Sequence, residues 1–283
     1  MINRPYEWSE FEKWSRLTKL WINYLPPSKP SLYDLNIYKA LIRKYCLQIN
    51  GMKALVLGAT PELRDLLFEL KADVSVVDRN PYMIEEMTRI RIYKNHEAVY
   101  IDDWFKYLPK NKYSFNLIVS DLTQSNIPYD MHDEFYQLVS NSLIPGGIFI
   151  DRMYTYRDNS KLYSATEEFV RFSKNPAINL LSLNELFINC FVASDLVAKL
   201  GRIDTHQIFM AMRNMDNPIL NKYAEQVEEF LAPDGAVWYC GKDWRKVSNI
   251  YFNHFKPIVE IQSKVPAYKG IPCILVTTPK THR

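Results

Sequence analysis

The chain has few cysteines and no long apolar run. Only four cysteines occur in 283 residues, and none has the C-x-x-C spacing of a thiolate metal site. This pattern predicts reduced thiols in a cytoplasmic protein. No apolar run approaches the roughly 20 residues needed to span a bilayer. The first residues also show no basic-then-apolar signal segment, so we expect no membrane partner.

The charge is nearly balanced and the composition is ordinary. The chain carries 35 basic and 32 acidic residues, a formal net charge of +3, with 47% hydrophobic and 24% charged residues. This balance lacks the excess of basic residues that is typical of a nucleic-acid-binding surface, so a nucleic acid is not the expected partner. No internal repeat or low-complexity tract is present. The composition is typical of a globular protein able to bury a full core.

The most informative segment predicts a β-α-β unit. An apolar run at residues 54–57 ends at Gly58, a helix opens at Pro61, and a second apolar run ends at Asp78, twenty positions after Gly58. Glycine allows a tight turn beneath a bound nucleotide, and an acid at the end of the second strand can accept hydrogen bonds from ribose hydroxyls. The alternative is a structural turn without a ligand.

Missing glycines narrow the choice of cofactor. A dinucleotide fingerprint requires glycine at positions 58, 60 and 63, whereas this chain has Gly58, Thr60 and Leu63. NAD is therefore disfavoured. An NAD-dependent oxidoreductase remains an alternative only because of the spacing between Gly58 and Asp78.

The segment G-A-T-P-E-L-R resembles motif I of the class I S-adenosylmethionine (SAM) dependent methyltransferases, in a variant form of the usual G-x-G-x-G. Pro61 and Glu62 suit the first turn of the following helix. The wider chain is similar to a poorly characterised subgroup with a G-x-T-P-E-L motif. The resemblance implies SAM as the cofactor, S-adenosylhomocysteine (SAH) as its product, and cofactor contacts from Gly58, Ala59 and Thr60.

Further cofactor contacts follow from the same resemblance. Asp78 takes the position of the ribose acid, and the residues just after it flank the adenine. A strand at 98–101 precedes an acidic pair and a tryptophan, where the family places an acid on the adenine amino group and a residue supporting the ring. Asp103 aligns with that acid, although either acid of the pair could instead cap a helix. The implied contacts are Asp78, Arg79, Met83, Asp102, Asp103 and Trp104.

The next strand, at 115–121, ends at Asp121, which the fold directs toward the methyl group, the methionine moiety or the substrate. The loop that follows lacks the Pro-Pro-aromatic signature of enzymes that methylate base amines. No cysteine lies in the loops after the fourth and fifth strands, where pyrimidine carbon methylation needs a nucleophile. Methylation of a nucleobase, including RNA methylation, is therefore disfavoured.

A Pro-Gly-Gly break at 145–147 should end a helix at 133–143 and lead into a fifth strand at 148–150. Asp151 and Arg152 follow. Metal-dependent O-methyltransferases place an Asp-Asn pair near this point, but the second residue here is arginine. Because a hard cation needs several oxygen ligands, we expect no metal.

The expected fold is α/β: a seven-stranded Rossmann-like methyltransferase sheet with helices on both faces. The predicted organisation is an N-terminal helical segment at 1–50, a SAM-binding core at 51–152, a helical cap at 153–235 and C-terminal strands completing the sheet at 236–283. These last strands are expected at 236–240, 257–262 and 272–278, and the final two fit the antiparallel hairpin that closes the edge of this fold. Cap helices are expected at 164–172, 183–200, 205–213 and 221–231. The polar candidates of the cap are Asn184, Asn189, His206 and Gln207, although a surface or packing role is the more common one for residues of these types.

The N-terminal segment has aromatic residues at helical spacing. Its apolar stripe could bind a substrate, pack onto the sheet or form the interface of a homodimer. A proline-rich break separates it from a second helix that begins at Ser31 or Asp34. The stripe consists of Trp8, Phe11, Trp14, Leu17 and Trp21.

The resemblance implies in-line SN2 transfer of a methyl group, for which the protein binds SAM, excludes water and aligns a nucleophile. The acceptor expected from charge and motifs is a small molecule or a peptide. Asp121, His132 and His206 are candidate bases, with His132 following the loop after the fourth strand. His132 could instead be a surface residue at a helix start, and a non-catalytic SAM-binding partner or sensor remains an alternative.

Overall fold

The computed structural model describes residues 21, 24–94, 96–174, 179–230, 236–265, 268 and 270–280. Most of the predicted N-terminal aromatic stripe, from Trp8 to Leu17, lies outside the described residues. The helix predicted after the proline-rich break spans Leu32–Tyr45 (α1), and Ser31 caps it. Ser31 and Asp34 form a capping box, in which each side chain accepts a hydrogen bond from the other residue's backbone.

Seven strands form one sheet in the order β3-β2-β1-β4-β5-β9-β8. The first five are parallel, and β9 runs antiparallel to both β5 and β8. This confirms the Rossmann-like methyltransferase sheet and its closing hairpin. The strands are β1 (Lys53–Leu57), β2 (Asp73–Asp78), β3 (Ala98–Ile101), β4 (Phe115–Asp121), β5 (Leu143–Tyr154), β8 (Phe255–Gln262) and β9 (Pro272–Pro279).

Helices cover both faces of the sheet. Alternation along β1 sends Leu55 and Leu57 into a core with Phe149 and Tyr251, while Ala54 and Val56 face the opposite core. Parallel strands buried on both faces need continuous apolar sequence, which explains the runs that predicted them. The flanking helices are α2 (Pro61–Glu69), α3 (Pro81–Ile90), α4 (Trp104–Tyr107), α5 (His132–Ser142) and α11 (Trp244–His254).

The fifth strand differs from its prediction. Helix α5 ends at Ser142, and β5 begins at once, so the Pro-Gly-Gly sequence lies inside the strand rather than before it. The pairing of β4 with β5 shifts register between Phe115 and Leu117, opposite this sequence. Gly146 has φ +78°, and a Cβ on Gly147 would lie 2.9 Å from the Ile144 carbonyl oxygen. The glycines therefore allow an irregularity within the strand, where the sequence predicted a break that ends the helix before a strand at 148–150.

The segment between β5 and α11, for which the sequence predicts a cap, is largely helical and has its own apolar core; it is called the cap below. The prediction of a single helix at 183–200 was wrong. The chain there forms α7, a π-helical turn at Phe187–Val192 and then α8, because Ser194 leaves the helix and caps the next one by accepting from Val197 N. The cap helices are α6 (Ala165–Ser173), α7 (Leu180–Leu186), α8 (Asp195–Leu200), α9 (Thr205–Arg213) and α10 (Pro218–Phe230).

The strand predicted at 236–240 does not rejoin the main sheet. It is reduced to β7 (Val237–Trp238), which pairs antiparallel with β6 (Ile203–Asp204) in a separate two-stranded sheet. The main sheet resumes only at β8. Among the described residues, no helix is both long and apolar enough to cross a membrane.

Candidate functional site

The first predicted contact, Gly58, forms a turn that requires glycine. It follows β1 with φ +96°, and its N–H donates to the Val77 carbonyl at 2.9 Å. A Cβ built on Gly58 would lie 3.7 Å from Thr123 Oγ1 and 3.9 Å from Asp78 Oδ2. The backbone of the turn therefore comes close to the carboxylate at the end of β2, as the β-α-β interpretation predicted.

Asp78 is the last residue of β2 and is half-buried. Its Oδ1 accepts a hydrogen bond from Asn80 N at 2.9 Å, and Asn80 in turn caps α3. Burial raises the pKa of Asp78, while the Asn80 amide and the charge of Arg79 oppose that rise. Arg79 itself is exposed.

Ala59 and Thr60 complete the turn before α2. Thr60 occupies the N-cap position without a capping hydrogen bond from its side chain, and Pro61 begins the helix as predicted. Ala59 is buried in a small apolar cluster with Ile84 and Met87, against which Met83 and Trp21 pack. Two predicted cofactor contacts, Ala59 and Met83, therefore share this cluster.

The acidic pair after β3 has structural partners. Asp103 caps α4 by accepting from Phe105 N at 2.8 Å, so it is Asp103 and not Asp102 that acts as a helix cap. Asp102 accepts from Lys110 Nζ at 3.2 Å. Trp104 Nε1 donates to the Val77 carbonyl at 3.1 Å, which brings its indole beside the end of β2.

Asp121 at the end of β4 is held in a buried ion pair. Arg152 Nε lies 2.5 Å from Asp121 Oδ1, and the two side chains are 0% and 3% exposed. Burial raises the pKa of Asp121, and the neighbouring guanidinium lowers it. The sequence prediction used Arg152 only as an argument against a metal and missed this pair.

Arg152 also connects the sheet to the N-terminal segment. Its Nη2 donates to the Pro27 carbonyl at 3.0 Å, and Tyr154 Oη approaches the same carbonyl at 3.4 Å. Arg152 Nη1 is buried, makes no hydrogen bond to any residue that the structure describes, and lies 4.0 Å from Asp34 Oδ2. Residues around position 27 therefore cover the edge of the sheet next to Asp121.

Beside this pair, Asp151 is fully buried. Ser120 Oγ donates to its Oδ1 at 2.5 Å, while no described residue makes a hydrogen bond to its Oδ2. Burial raises the pKa of Asp151 to about 8. Tyr38 on α1 donates to the Ser120 carbonyl at 2.6 Å and so binds the N-terminal segment to β4.

The loop after β4 is held in an uncommon conformation. Leu122 has φ +57°, in the left-handed region that leucine rarely adopts, and its N–H donates to the Arg152 carbonyl at 2.8 Å. Thr123 Oγ1 donates to the Leu57 carbonyl at 2.7 Å, next to the Gly58 turn. Such strained positions are frequent at functional sites.

His132 is buried at the start of α5, so the surface alternative was wrong. Its Nε2 lies 2.8 Å from the Ile127 carbonyl oxygen, and its ring lies 5.1 Å from that of Tyr129. Burial lowers the pKa of His132, which favours the neutral ring. The histidine lines a small cavity together with Tyr154.

A cleft of about 690 Å³ lies where the cap meets the core, and none of the predicted cofactor residues lines it. Tyr129 and Lys242 border both this cleft and the cavity at His132, and Lys242 Nζ lies 3.9 Å above the Tyr129 ring. The cap candidate Asn189 is buried and donates to Glu168, as a packing residue would. His206 and Gln207 are exposed.

Glu62 and Trp21 form a contact that the sequence prediction did not include. Trp21 Nε1 donates to Glu62 Oε1 at 2.9 Å, which joins the N-terminal segment to the first turn of α2. Glu62 Oε2 is buried and has no hydrogen-bond partner among the residues that the structure describes. Burial raises the pKa of Glu62, and its own backbone N–H, the Trp21 indole and the charge of Lys29 oppose that rise.

Comparisons with known proteins show the fold. No family model and no curated protein matches the chain. One similar structure, named as a Zn-dependent alcohol dehydrogenase from Rhodobacter sphaeroides, has a TM-score of 0.62 at 12% identity and covers 99% of this chain and 100% of its own.

Two other similar structures are named as SAM-dependent methyltransferases. The protein from Listeria monocytogenes has a TM-score of 0.52 at 13% identity, covering 86% of this chain and 99% of its own. A TehB-like protein from Corynebacterium glutamicum has a TM-score of 0.50 at 12% identity, covering 96% and 99%. At these identities the likeness is one of fold.

Proposed function

We propose that this chain is a SAM-dependent methyltransferase that transfers a methyl group to a small-molecule or peptide acceptor. The observation that carries the proposal is the close approach of the Gly58 turn to Asp78. A side chain on residue 58 would fill the space between Thr123 Oγ1 and Asp78 Oδ2. A glycine there, with a half-buried carboxylate facing it, fits a ribose held against the backbone.

The remaining cofactor contacts are assigned by their position at the carboxyl ends of the parallel strands, next to Gly58 and Asp78. Backbone groups of Gly58, Ala59 and Thr60 hold the methionine side of SAM, and Asp78 accepts from the ribose hydroxyls. Because SAM has no phosphates, this turn does not need the three glycines of a dinucleotide site. The proposed contacts on the adenine side are Arg79, Met83, Asp102, Asp103 and Trp104.

Bound SAM would supply an activated methyl group, so the protein's task is mainly to bind, orient and keep water out. Asp121 is a positioning residue in this proposal, because its carboxylate is already paired with Arg152. His132 is the candidate base. Burial lowers the pKa of His132 and so favours the neutral ring; because its Nε2 faces the Ile127 carbonyl and must donate to it, the proton would be accepted by Nδ1.

The cleft between cap and core is the candidate entrance for the acceptor. Its volume of about 690 Å³ suits a small molecule or a few residues of a peptide. It reaches toward His132 through Tyr129, which borders both spaces. This assignment supports a small acceptor over a nucleic acid duplex.

Two other functions have an observation in their favour. A non-catalytic SAM-binding partner or sensor would explain why Asp121 is neutralised by Arg152 instead of facing a substrate. An NAD-dependent oxidoreductase would agree with the name of the Rhodobacter sphaeroides structure. Among the residues that the structure describes, however, no group of three or more His, Cys, Asp or Glu side chains could hold a metal ion.

The test is calorimetric titration of the protein with SAM, SAH and NADH. We expect micromolar binding of SAM and SAH, no binding of NADH, and a loss of about 10- to 100-fold in SAH affinity for Asp78→Ala, since hydrogen bonds to charged groups contribute about 1.5–3 kcal/mol. Asp73→Ala is the matched control, because Asp73 is exposed at the opposite end of the same strand. Absence of SAM and SAH binding to the unmodified protein would refute the proposal.

If SAM binds, labelled SAM can be used to screen acceptors. Transfer to a small molecule or peptide would support the enzyme. Binding of SAM without transfer to any acceptor class would favour the sensor or partner function.

A further inference from the structure

Glu62 occupies a position that is usually glycine in motif I of the SAM-dependent methyltransferases, which the segment after β1 resembles. Gly58, Thr60 and Glu62 occupy the three glycine positions of G-x-G-x-G. Glu62 lies in the first turn of α2, immediately after the turn at Gly58. A carboxylate therefore lies where the motif usually leaves only backbone.

The two carboxylate oxygens of Glu62 have different environments. Oε1 accepts from Trp21 Nε1 at 2.9 Å, whereas Oε2 is buried and receives no hydrogen bond from the described part of the chain. A buried unpaired acceptor costs about 1–3 kcal/mol, and more when it is charged. A donor at Oε2 would remove that cost.

Among the described residues, neither the charges that face Glu62 nor its own backbone N–H, which also favours the ionised carboxylate, makes a hydrogen bond to Oε2. Lys29, from the N-terminal segment, favours the ionised carboxylate through its charge, but its Nζ donates to the Trp21 carbonyl at 2.8 Å. Asp121, at the end of β4, acts in the opposite direction. The ligand group that best fits Oε2 is a cation with several N–H donors, and a primary ammonium has three.

We propose that Glu62 binds the α-ammonium of the methionine moiety of SAM, with Trp21 fixing the orientation of the carboxylate. This inference rests on the proposed function and adds the residue that recognises the amino acid end of the cofactor. Ligands that carry the ammonium, such as SAM and SAH, gain this contact. Ligands that stop at the thioether, such as 5′-methylthioadenosine, do not.

The experiment compares the affinities of two ligands, one with and one without the ammonium, for the unmodified chain and for a Glu62 variant. Calorimetry measures SAH and 5′-methylthioadenosine binding to the unmodified chain and to Glu62→Gln, in which the amide oxygen can still accept from Trp21. We expect Glu62→Gln to weaken SAH binding about 10- to 100-fold, as for one charged hydrogen bond, and to change 5′-methylthioadenosine binding less than about threefold. Glu85→Gln, an exposed glutamate on α3 paired with Arg89, is the control and should change neither.

A change on the ligand side gives the same test without a variant. SAH lacking its α-amino group should bind the unmodified chain about 10- to 100-fold more weakly than SAH, and Glu62→Gln should remove most of that difference. The non-additivity of the two changes would locate the ammonium at Glu62.

Each contrary outcome has a distinct meaning. Equal SAH affinity in Glu62→Gln and the unmodified chain would overturn this inference and leave the proposed function standing. Equal losses of SAH and 5′-methylthioadenosine binding would also overturn it, because Glu62 would then support the pocket in general. Failure of the unmodified chain to bind SAH would refute the proposed function and this assignment together.

Discussion

The buried pair of Arg152 and Asp121 allows a sharp test with Arg152→Met. Methionine fills much of the same space, but it leaves a carboxylate that is 3% exposed without its partner at 2.5 Å. It also removes the Nη2 donor to the Pro27 carbonyl. Removing one partner of a buried ion pair costs about 3–5 kcal/mol of stability. We therefore expect Arg152→Met to lower the free energy of unfolding by that amount at about pH 8.

The loss should depend on pH. Burial already raises the pKa of Asp121, and removal of the guanidinium would raise it further. In the variant the native chain then holds a proton that the unfolded chain releases, so its stability falls as pH rises above the ordinary pKa of an aspartate. The deficit relative to the unmodified chain should therefore be smaller at about pH 5.5 than at about pH 8. Adding Asp121→Asn should recover most of it, because the uncompensated charge is gone.

The assay is urea unfolding at both pH values, followed by circular dichroism. Arg89→Met is the control, since Arg89 is 61% exposed and its ion pairs on α3 should contribute less than about 1 kcal/mol. A loss below about 1 kcal/mol in Arg152→Met, or a loss equal at both pH values, would refute a buried charge pair at this edge.

Two further predictions concern buried acids and thiols. Because burial raises the pKa of Asp151 to about 8, the native chain keeps a proton that the unfolded chain loses, and Asp151→Asn should gain stability relative to the unmodified chain by about 1 kcal/mol per unit between about pH 5 and about pH 8. A pH-independent difference in urea unfolding would contradict this. Of the four free cysteines only Cys46 is partly exposed, and burial raises its pKa to about 11, so Ellman's reagent near pH 7 should label one thiol slowly and four after unfolding. Rapid labelling of two or more thiols in the native protein would count against the described packing.

The sheet could be predicted because each of its strands can be recognised from a short, continuous stretch of sequence. Strands β1, β2 and β4 are short, mainly apolar runs; β1 ends just before Gly58, and β2 and β4 end at Asp78 and Asp121. The residues at the strand ends therefore also mark the edge of the sheet. The closing hairpin of β8 and β9 was predicted for the same reason. Local patterns failed in the cap, where Ser194 begins a new helix within an apolar stretch that would otherwise read as one helix.

The buried polar contacts could not be predicted from local patterns. Arg152 and Asp121 are 31 positions apart, and Trp21 and Glu62 are 41 apart. A buried arginine looks like a surface residue until the partner that compensates its charge is known. The only available signals were an arginine ending a strand predicted to be buried, and a glutamate where the motif usually has glycine.

These two long-range contacts have one consequence for the site. Trp21 binds the first turn of α2 through Glu62, and Arg152 binds Pro27 while pairing with Asp121. The N-terminal segment therefore contacts the edge of the sheet at both the cofactor turn and the end of β4. A ligand that reaches Gly58 must lie beneath this segment or displace it, because Trp21 packs on the cluster that contains Ala59 and Met83. Ligand affinity at this edge thus includes the free energy of placing the N-terminal segment, and the residues that fix the segment belong to the site as much as the strand ends do.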